Sequence, residues 1–383
     1  MENSASIDKI SDLPDEVLCH ILSFLPIKQA FSTSFLSKRW APLFKLLTSL
    51  HFDDESVGDE ENFLRFRQLV DTVTLSTQII KTFHLKCRSK HWRDDRYNVD
   101  RWIETAKQHP VENFQLISRF NCISLPPNIF RFSTLVVLKL MSVKVVGDIS
   151  ADLPSLQTLQ LNDVCFENKE CFNKLLFGCP ILRTLRTSIY YIKKEEDEGV
   201  RLSTEWFQSL SNLNTADIDI DAFDVPFRVI SNVKILMLTV KNRLPEINSY
   251  YGGFPVFQNL TDLNLCFYKF NHWNDVIEVL QYCPKLQILS IFKLAVKKHL
   301  SINWKYPSSV PECIASHLIS CTINYEGWKG ELEFSKYILQ NAQLLEMMKV
   351  NIGHSSYSRL NRDPSEELTS CPIISPKCIL VVD

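Results

Sequence analysis

The sequence lacks the spacings that most enzyme and membrane architectures need. Only nine glycines occur in 383 residues, and none falls in a G-x-G-x-x-G or G-x-x-x-x-G-K-[ST] cradle. Those cradles need glycine because the backbone must approach a phosphate closely, so nucleotide chemistry has no visible seat. G-x-S-x-G and H-E-x-x-H are also missing, which removes common serine-nucleophile and zinc-hydrolase layouts. No apolar run reaches the roughly 18 residues of a membrane-spanning helix. The formal charge of -2 gives no global pull toward nucleic acid or an acidic membrane. In the aromatic and basic stretch KHWRDDRYNVDRW, Asp94, Asp95 and Asp100 cancel the field that phosphate attraction requires.

Twelve cysteines are present, yet no C-x-x-C occurs. The densest group, Cys165, Cys171 and Cys179, has gaps of six and eight positions with no histidine between. A zinc site usually takes paired ligands two to four residues apart, so that one turn presents both to the ion. The cysteines therefore read as reduced, mostly buried thiols that act as small hydrophobes. No metal or cofactor is expected. The segment MENSASIDKISD is polar and acidic, unlike a secretory signal. The expected location is inside the cell, cytoplasmic and/or nuclear, and not secreted.

What is present is apolar and patterned. Apolar residues make up 45% of the chain and charged residues 22%, the balance of a folded protein. After a tail over residues 1–12, residues 13–52 read as compact helices. Pro14 stands at a first turn, with Asp15 and Glu16 placed against the helix dipole. Val17, Leu18, Ile21, Leu22 and Leu25 follow at helical spacing, and Pro26 ends the helix. A second helix is expected over Lys28 to Phe35, and a third from near Ser37 through Lys38, Arg39 and Trp40. The acidic stretch DDESVGDEEN, residues 53–62, reads as a hinge.

Beyond it a motif repeats. The pattern L-x-x-L-x-L belongs to short strands that point alternate apolar residues into a shared core. It occurs at Leu135/Leu138/Leu140, Leu156/Leu159/Leu161, Leu182/Leu185/Thr187, Leu213/Ala216/Ile218, Val233/Leu236/Leu238, Leu260/Leu263/Leu265 and Leu286/Leu289/Ile291. Weaker copies lie at Ile80/Phe83/Leu85 and Val111/Phe114/Leu116. Their spacing of 20 to 31 residues brackets the leucine-rich period of about 20 to 29. Helical segments lie between, with Trp102, Ile103 and Ala106, or Val276, Ile277 and Leu280, facing the strands. One strand and one helix cannot bury their own apolar faces, so the copies must stack into a curved solenoid over residues 63–299. Ordinary α/β strands with crossover helices are the alternative.

Cys179-Pro180 and Cys283-Pro284 mark helix-to-strand junctions, where the cysteine packs under the turn. The run Lys193 to Gly199 reads as a solvated loop. Residues 300–383 differ in texture: a strand, a turn around Gly327 to Gly330, then an amphipathic helix burying Phe334, Ile338, Leu339, Leu345 and Met348. Cys378 to Val382 reads as an edge strand. Such a segment would cap an open solenoid end.

The stretch from Leu13-Pro14 through EVLCHILSFLP to LSKRW resembles the F-box, the helical module that docks on the Skp adaptor of cullin-based ubiquitin ligases. The rest resembles the plant F-box proteins with leucine-rich repeats and a C-terminal FBD segment, here VPECIASHL, YEGWKGELEFSKYILQNAQLLEMMKV and SPKC. The resemblance implies an α/β protein with three parts: a helical F-box, a leucine-rich-repeat solenoid and an FBD cap. It implies adaptor contacts at Leu13, Pro14, Ile21, Leu22, Leu25 and Pro26, with Leu36 and Trp40 closing the surface. Pro42 shortens the third helix. The partners implied are a Skp-type adaptor, cullin through it, and a target protein held by the repeats. No catalytic residue is expected. A repeat scaffold with a vestigial or ubiquitin-independent F-box is the second reading. Lys139, Gln160, Arg186 and Lys234 are strand-face candidates for holding a target or a small ligand.

Overall fold

The computed structural model describes residues 10, 12–88, 98–119, 123–192, 210–220, 227–240, 255–267, 273–293, 304, 306–325, 329–352 and 364–383. Most of the N-terminal tail, Asp94, Asp95, the Lys193 to Gly199 loop and residues 326–328 of the expected turn lie outside them. The chain divides into two compact units. One is Met1–Pro180 with Ile189–Glu198; the other is Ile181–Ser188 with Gly199–Asp383.

The first unit opens with three short helices, α1 (Asp15–Ser23), α2 (Ile27–Thr33) and α3 (Trp40–Phe44). Pro14 and Pro26 sit at the N-caps of α1 and α2, where a missing N–H costs nothing. The second helix ends in a run of hydroxyls. Ser32 Oγ donates to Lys28 O at 2.8 Å, and Thr33 and Ser34 donate to Ala30 O and Phe31 O. Each hydroxyl bonds back to a carbonyl three or four residues earlier, the local pattern that Ser and Thr favour near helix ends. The third helix is only five residues long and carries Pro42 in its first turn.

Strand β1 (Ser49–Asp53) follows at once and pairs in parallel with β2 (Thr82–Cys87). The expected hinge is therefore not a free linker. Its first residue belongs to β1, and its last three open helix α4 (Glu60–Ser76), capped by Asp59 accepting from Asn62 N–H. Between them, Asp54 is fully buried and accepts the Arg88 N–H, while Arg88 pairs with Asp53 and Glu55. Charge here is used to fasten the turn to the end of β2.

The unit continues through α5 (Val99–Lys107), β3 (Asn113–Ser118), β4 (Ile123–Leu125), β5 (Val137–Met141), β6 (Val143–Val145), β7 (Thr158–Phe166) and α6 (Lys169–Phe177). Strand order is β1-β2-β3-β5-β7, all parallel, with β4 pairing β6 and β6 touching β7. The second unit holds β8 (Thr184–Tyr191) through Ser188, then β9 (Thr215–Ile220), β10 (Ile235–Val240), β11 (Asp262–Phe267), α7 (Trp273–Gln281) and β12 (Ile288–Lys293). It ends with α8 (Glu312–Ser316), β13 (Ser320–Tyr325), α9 (Lys329–Asn341), β14 (Met347–Ile352), α10 (Pro364–Thr369) and β15 (Ile379–Val382). Strands β8 to β15 pair in sequence order, again in parallel.

Burial alternates along β2, β3, β10 and β11, one side chain in and the next half-exposed. Strands covered by helices on both faces would read as unbroken apolar runs. Alternation fits strands covered on one face only, as in leucine-rich repeats, and disfavours the crossover alternative. All the repeat positions expected to face inward are buried. In β1 to β3 the core position is aromatic: Phe52 lies 5.7 Å from Phe83, which stacks on Phe114 at 5.6 Å.

A second period runs through the backbone. Along most of the ladder, one carbonyl before a strand accepts two successive N–H groups from the next. Thr48 O takes Lys81 and Thr82, Lys81 O takes Glu112 and Asn113, and Glu112 O takes Val136 and Val137. In the second unit Lys234 O, Thr261 O, Gln287 O and Ile319 O do the same. The FBD-like segment follows this rule, so its strands extend the repeat; Leu289, Cys321, Met348 and Leu380 are register partners in turn. Its helix α9 buries Phe334, Ile338 and Leu339. Gly330 permits this packing, because a Cβ there would lie 2.8 Å from the Trp273 ring.

Every described cysteine is a free thiol. Cys179 Sγ donates to Leu175 O at 3.2 Å, and Cys283 Sγ to Val279 O at 3.3 Å. Each thiol thus adds a second donor to a last-turn carbonyl that already accepts a backbone N–H, from Gly178 and Tyr282 respectively, and the same arrangement recurs at both Cys-Pro junctions. Burial pushes Cys179 up to about 12. Among the described residues, no group of three metal-ligating side chains is found, and no helix is long and apolar enough to cross a membrane.

Candidate partner-docking surfaces

Helix α1 carries apolar residues on two sides. Leu18 and Leu22 are buried and Leu25 half-buried, at spacings of four and three, and they face the module's interior. Val17, Ile21 and Phe24 repeat that spacing one residue earlier and are exposed. Amphipathic helices of a self-sufficient domain bury one apolar stripe, so the second stripe has no partner within the described chain.

The interior stripe packs on α3, as does α2, through Phe31 and Phe44 at 5.2 Å. Cys19 Sγ lies 3.7 Å from Leu43 O, and its thiol is pushed up by burial, with Asp15 and Glu16 adding to the shift. Arg39 clips the module shut: its guanidinium donates to Asp15 Oδ1 and to the Leu13 carbonyl.

The eight expected adaptor residues divide accordingly. Pro14, Ile21, Pro26 and Leu36 are exposed, while Leu13, Leu25 and Trp40 are half-buried. Leu22 is only 1% exposed and forms part of the module's own core. Sequence reasoning missed the two most exposed aromatics among the described residues, Phe24 at 74% and Phe35 at 77%, which exceed even Leu36 at 70%. A signal for Phe24 existed in the outward spacing 17, 21, 24. Phe35 lies past the end of α2, where helical periodicity says nothing. Ile10, also exposed, was assigned to the tail.

The strand-face candidates separate further. Lys139 and Gln160 are direct register partners on β5 and β7. Arg186, on β8, has its charge engaged by Asp217 at 2.7 Å. Lys234 is not on a strand face: it precedes β10, and its carbonyl serves the backbone ladder.

Family models match three parts of the chain. The F-box domain matches residues 10–51; the LRR repeats of FBD-associated F-box protein At5g56370 match residues 99–196; FBD matches residues 305–350. The chain is 30% identical to F-box/FBD/LRR-repeat protein At4g26340 of Arabidopsis thaliana over 439 residues, covering 98% of this chain and 100% of that one. It is 28% identical to F-box/FBD/LRR-repeat protein At4g00160 of the same plant, covering 88% of this chain and 85% of the relative. With helices at residues 15–44, a one-faced parallel repeat and an FBD stretch that continues it, this chain belongs to the plant F-box/FBD/LRR-repeat family.

Proposed function

We propose that this chain is the target-recognition subunit of an SCF-type ubiquitin ligase, its F-box seated on a Skp-type adaptor and its repeats holding a target protein. F-box proteins generally act in such ligases. The observation that carries the reading is the second apolar stripe of α1 together with Phe35 and Leu36. Burying each of these large side chains in a partner groove is worth about 2 kcal/mol, and every 1.4 kcal/mol is tenfold in affinity. Apolar anchors in a groove with a polar rim are the usual form of such an interface.

The chain does its work by placement. Holding a target beside a charged conjugating enzyme raises the effective concentration of the target lysine. The chemistry belongs to the recruited enzyme. Beyond the FBD match, β15 pairs with β14, and Ser375 Oγ donates to Leu345 O at 2.7 Å.

The test is a pull-down of purified Skp-type adaptor by the full chain and by a Phe24→Ala/Phe35→Ala/Leu36→Ala variant. The reading requires capture by the native chain and loss in the variant. Equal capture by both, or none by either, overturns it.

A further inference from the structure

The middle outward positions of the first unit's central strands are His84, Gln115, Lys139 and Gln160, each the register partner of the next. His51 on β1 precedes them, its ring 4.5 Å from that of His84. The outward positions on either side of this row, on β2, β3, β5 and β7, add Lys86 but no aspartate or glutamate; the exposed Asp163 of β7 lies one residue beyond them, its carboxylate accepting from Ser142 Oγ at 3.0 Å. Lys86 is engaged by Asp53 at 3.3 Å. Among the described residues, Lys139 has no ion-pair partner, and the Gln115 and Gln160 amides make no hydrogen bond. The second unit differs, with Asp217, Asp219 and Asp262 on outward positions of β9 and β11 and Arg186 of β8 paired to Asp217.

Parallel strands lie about 4.8 Å apart. Four neighbouring positions therefore span about 14 Å, the length of four to five extended residues. A row of donors this long, with a free ammonium and no carboxylate, complements an extended chain of carboxylates. We propose that the solvent face of β2, β3, β5 and β7 docks an extended Asp/Glu-rich segment of the target protein. Lys139 holds its carboxylates, His84 joins it when protonated, and Gln115 and Gln160 orient it. This rests on the reading of the chain as a target receptor and adds the target's chemistry.

A pH dependence follows from the same geometry. His84 faces His51, Lys86 and Lys139 and is bonded to Asn113 Oδ1; His51 faces His84 and Lys86. Burial holds both imidazoles below their ordinary value, helped at His51 by Lys86; at His84 the Asn113 bond works against it and the neighbouring His51, Lys139 and Lys86 with it. A docked carboxylate favours the charged imidazole, so acidification strengthens binding.

The experiment is an anisotropy titration of the full chain with a labelled Glu-Ser repeat peptide, its Lys-Ser counterpart and a single-stranded RNA of equal charge. The Glu-Ser peptide binds, the Lys-Ser peptide does not, and Lys139→Glu and His84→Glu each weaken binding about tenfold or more. Affinity rises from about pH 8 to about pH 6 in the native chain, and His51→Gln/His84→Gln flattens that rise. Thermal melts confirm folding, and Lys139→Gln replaces the reversal should Lys139→Glu unfold. No binding of the Glu-Ser peptide, equal binding by the Lys139 variant, or RNA bound as tightly as peptide overturns the proposal. Adaptor capture is measured on the same variants. Lost peptide binding with capture intact leaves the ligase reading standing; lost capture with peptide binding intact overturns only that reading.

Discussion

Arg39 Nη2 lies 2.9 Å from Asp15 Oδ1, so the residue before the third helix holds the first turn of the first. Both side chains are partly exposed, and such a pair contributes about 0 to 1 kcal/mol. Arg39→Ala is expected to lower stability by no more than about 1 kcal/mol while markedly speeding amide exchange over residues 13–18. Arg39→Lys restores the charge but not the fork that also reaches the Leu13 carbonyl, so exchange stays fast. Unchanged protection in Arg39→Ala would show that the clip is idle.

The two stripes of α1 predict opposite behaviour for neighbouring residues. Leu22→Ala empties a core position and is expected to cost about 2 to 5 kcal/mol of unfolding free energy in a urea titration. Phe24→Ala, at an exposed position, should stay within about 0.5 kcal/mol of the native chain. A large loss in Phe24→Ala would mean that Phe24 belongs to the interior.

Gly178, at the end of α6, has no space for a side chain. A Cβ built there lies 2.4 Å from the Ala151 Cβ and 2.7 Å from the Ala151 carbonyl. The close approach is fixed by the Leu153 N–H donating to Gly178 O at 2.8 Å. Gly178→Ala is expected to destabilise the first unit by about 2 kcal/mol or more. Gly58→Ala, with open space around the new methyl, is the control and should be close to neutral.

The buried thiols make the fold sensitive to alkali. Cys179 and Cys313 are raised from 9.0 to about 12, chiefly by burial. In the unfolded chain these thiols give up their protons near the ordinary value, while in the folded chain they keep them. Their contribution is therefore fully present below about pH 9 and is lost as pH rises from there through about 12. Chemical denaturation at a series of pH values should show stability falling through that window, with a smaller fall in Cys179→Ala/Cys313→Ala. A slope that the double variant leaves unchanged would assign the effect to other groups.

Much of the repeat was legible because its signal is local. A strand with one buried face must place apolar residues two apart, and Leu138/Leu140, Leu159/Leu161 and Leu263/Leu265 do so in plain leucine. Three copies escaped where the chemistry was disguised. Leu47/Leu50/Phe52 lay inside the helical module, while Leu318/Cys321/Ile323 and Leu345/Met348/Val350 use cysteine and methionine in place of leucine; all nine side chains are buried. Composition thus made the C-terminal segment look like a different structure, though its backbone obeys the same ladder. On the docking surface the sequence marked which residues are apolar but not which way they point. Leu22 and Phe24 differ by two positions on one helix, and only packing against α3 decides that one is core and the other free.

Strand β1 begins at Ser49, a few residues after α3 ends, and is bonded into the sheet that carries Lys139. The helical module is thus the first course of the same masonry, with no swivel before the strands that would hold cargo. On the proposed receptor reading, a lysine on that cargo would be selected by reach: those at the right distance and angle from the enzyme would be modified, and others on the same protein spared. Flexible residues inserted between Thr48 and Ser49 would blur that selection before they weakened either binding event.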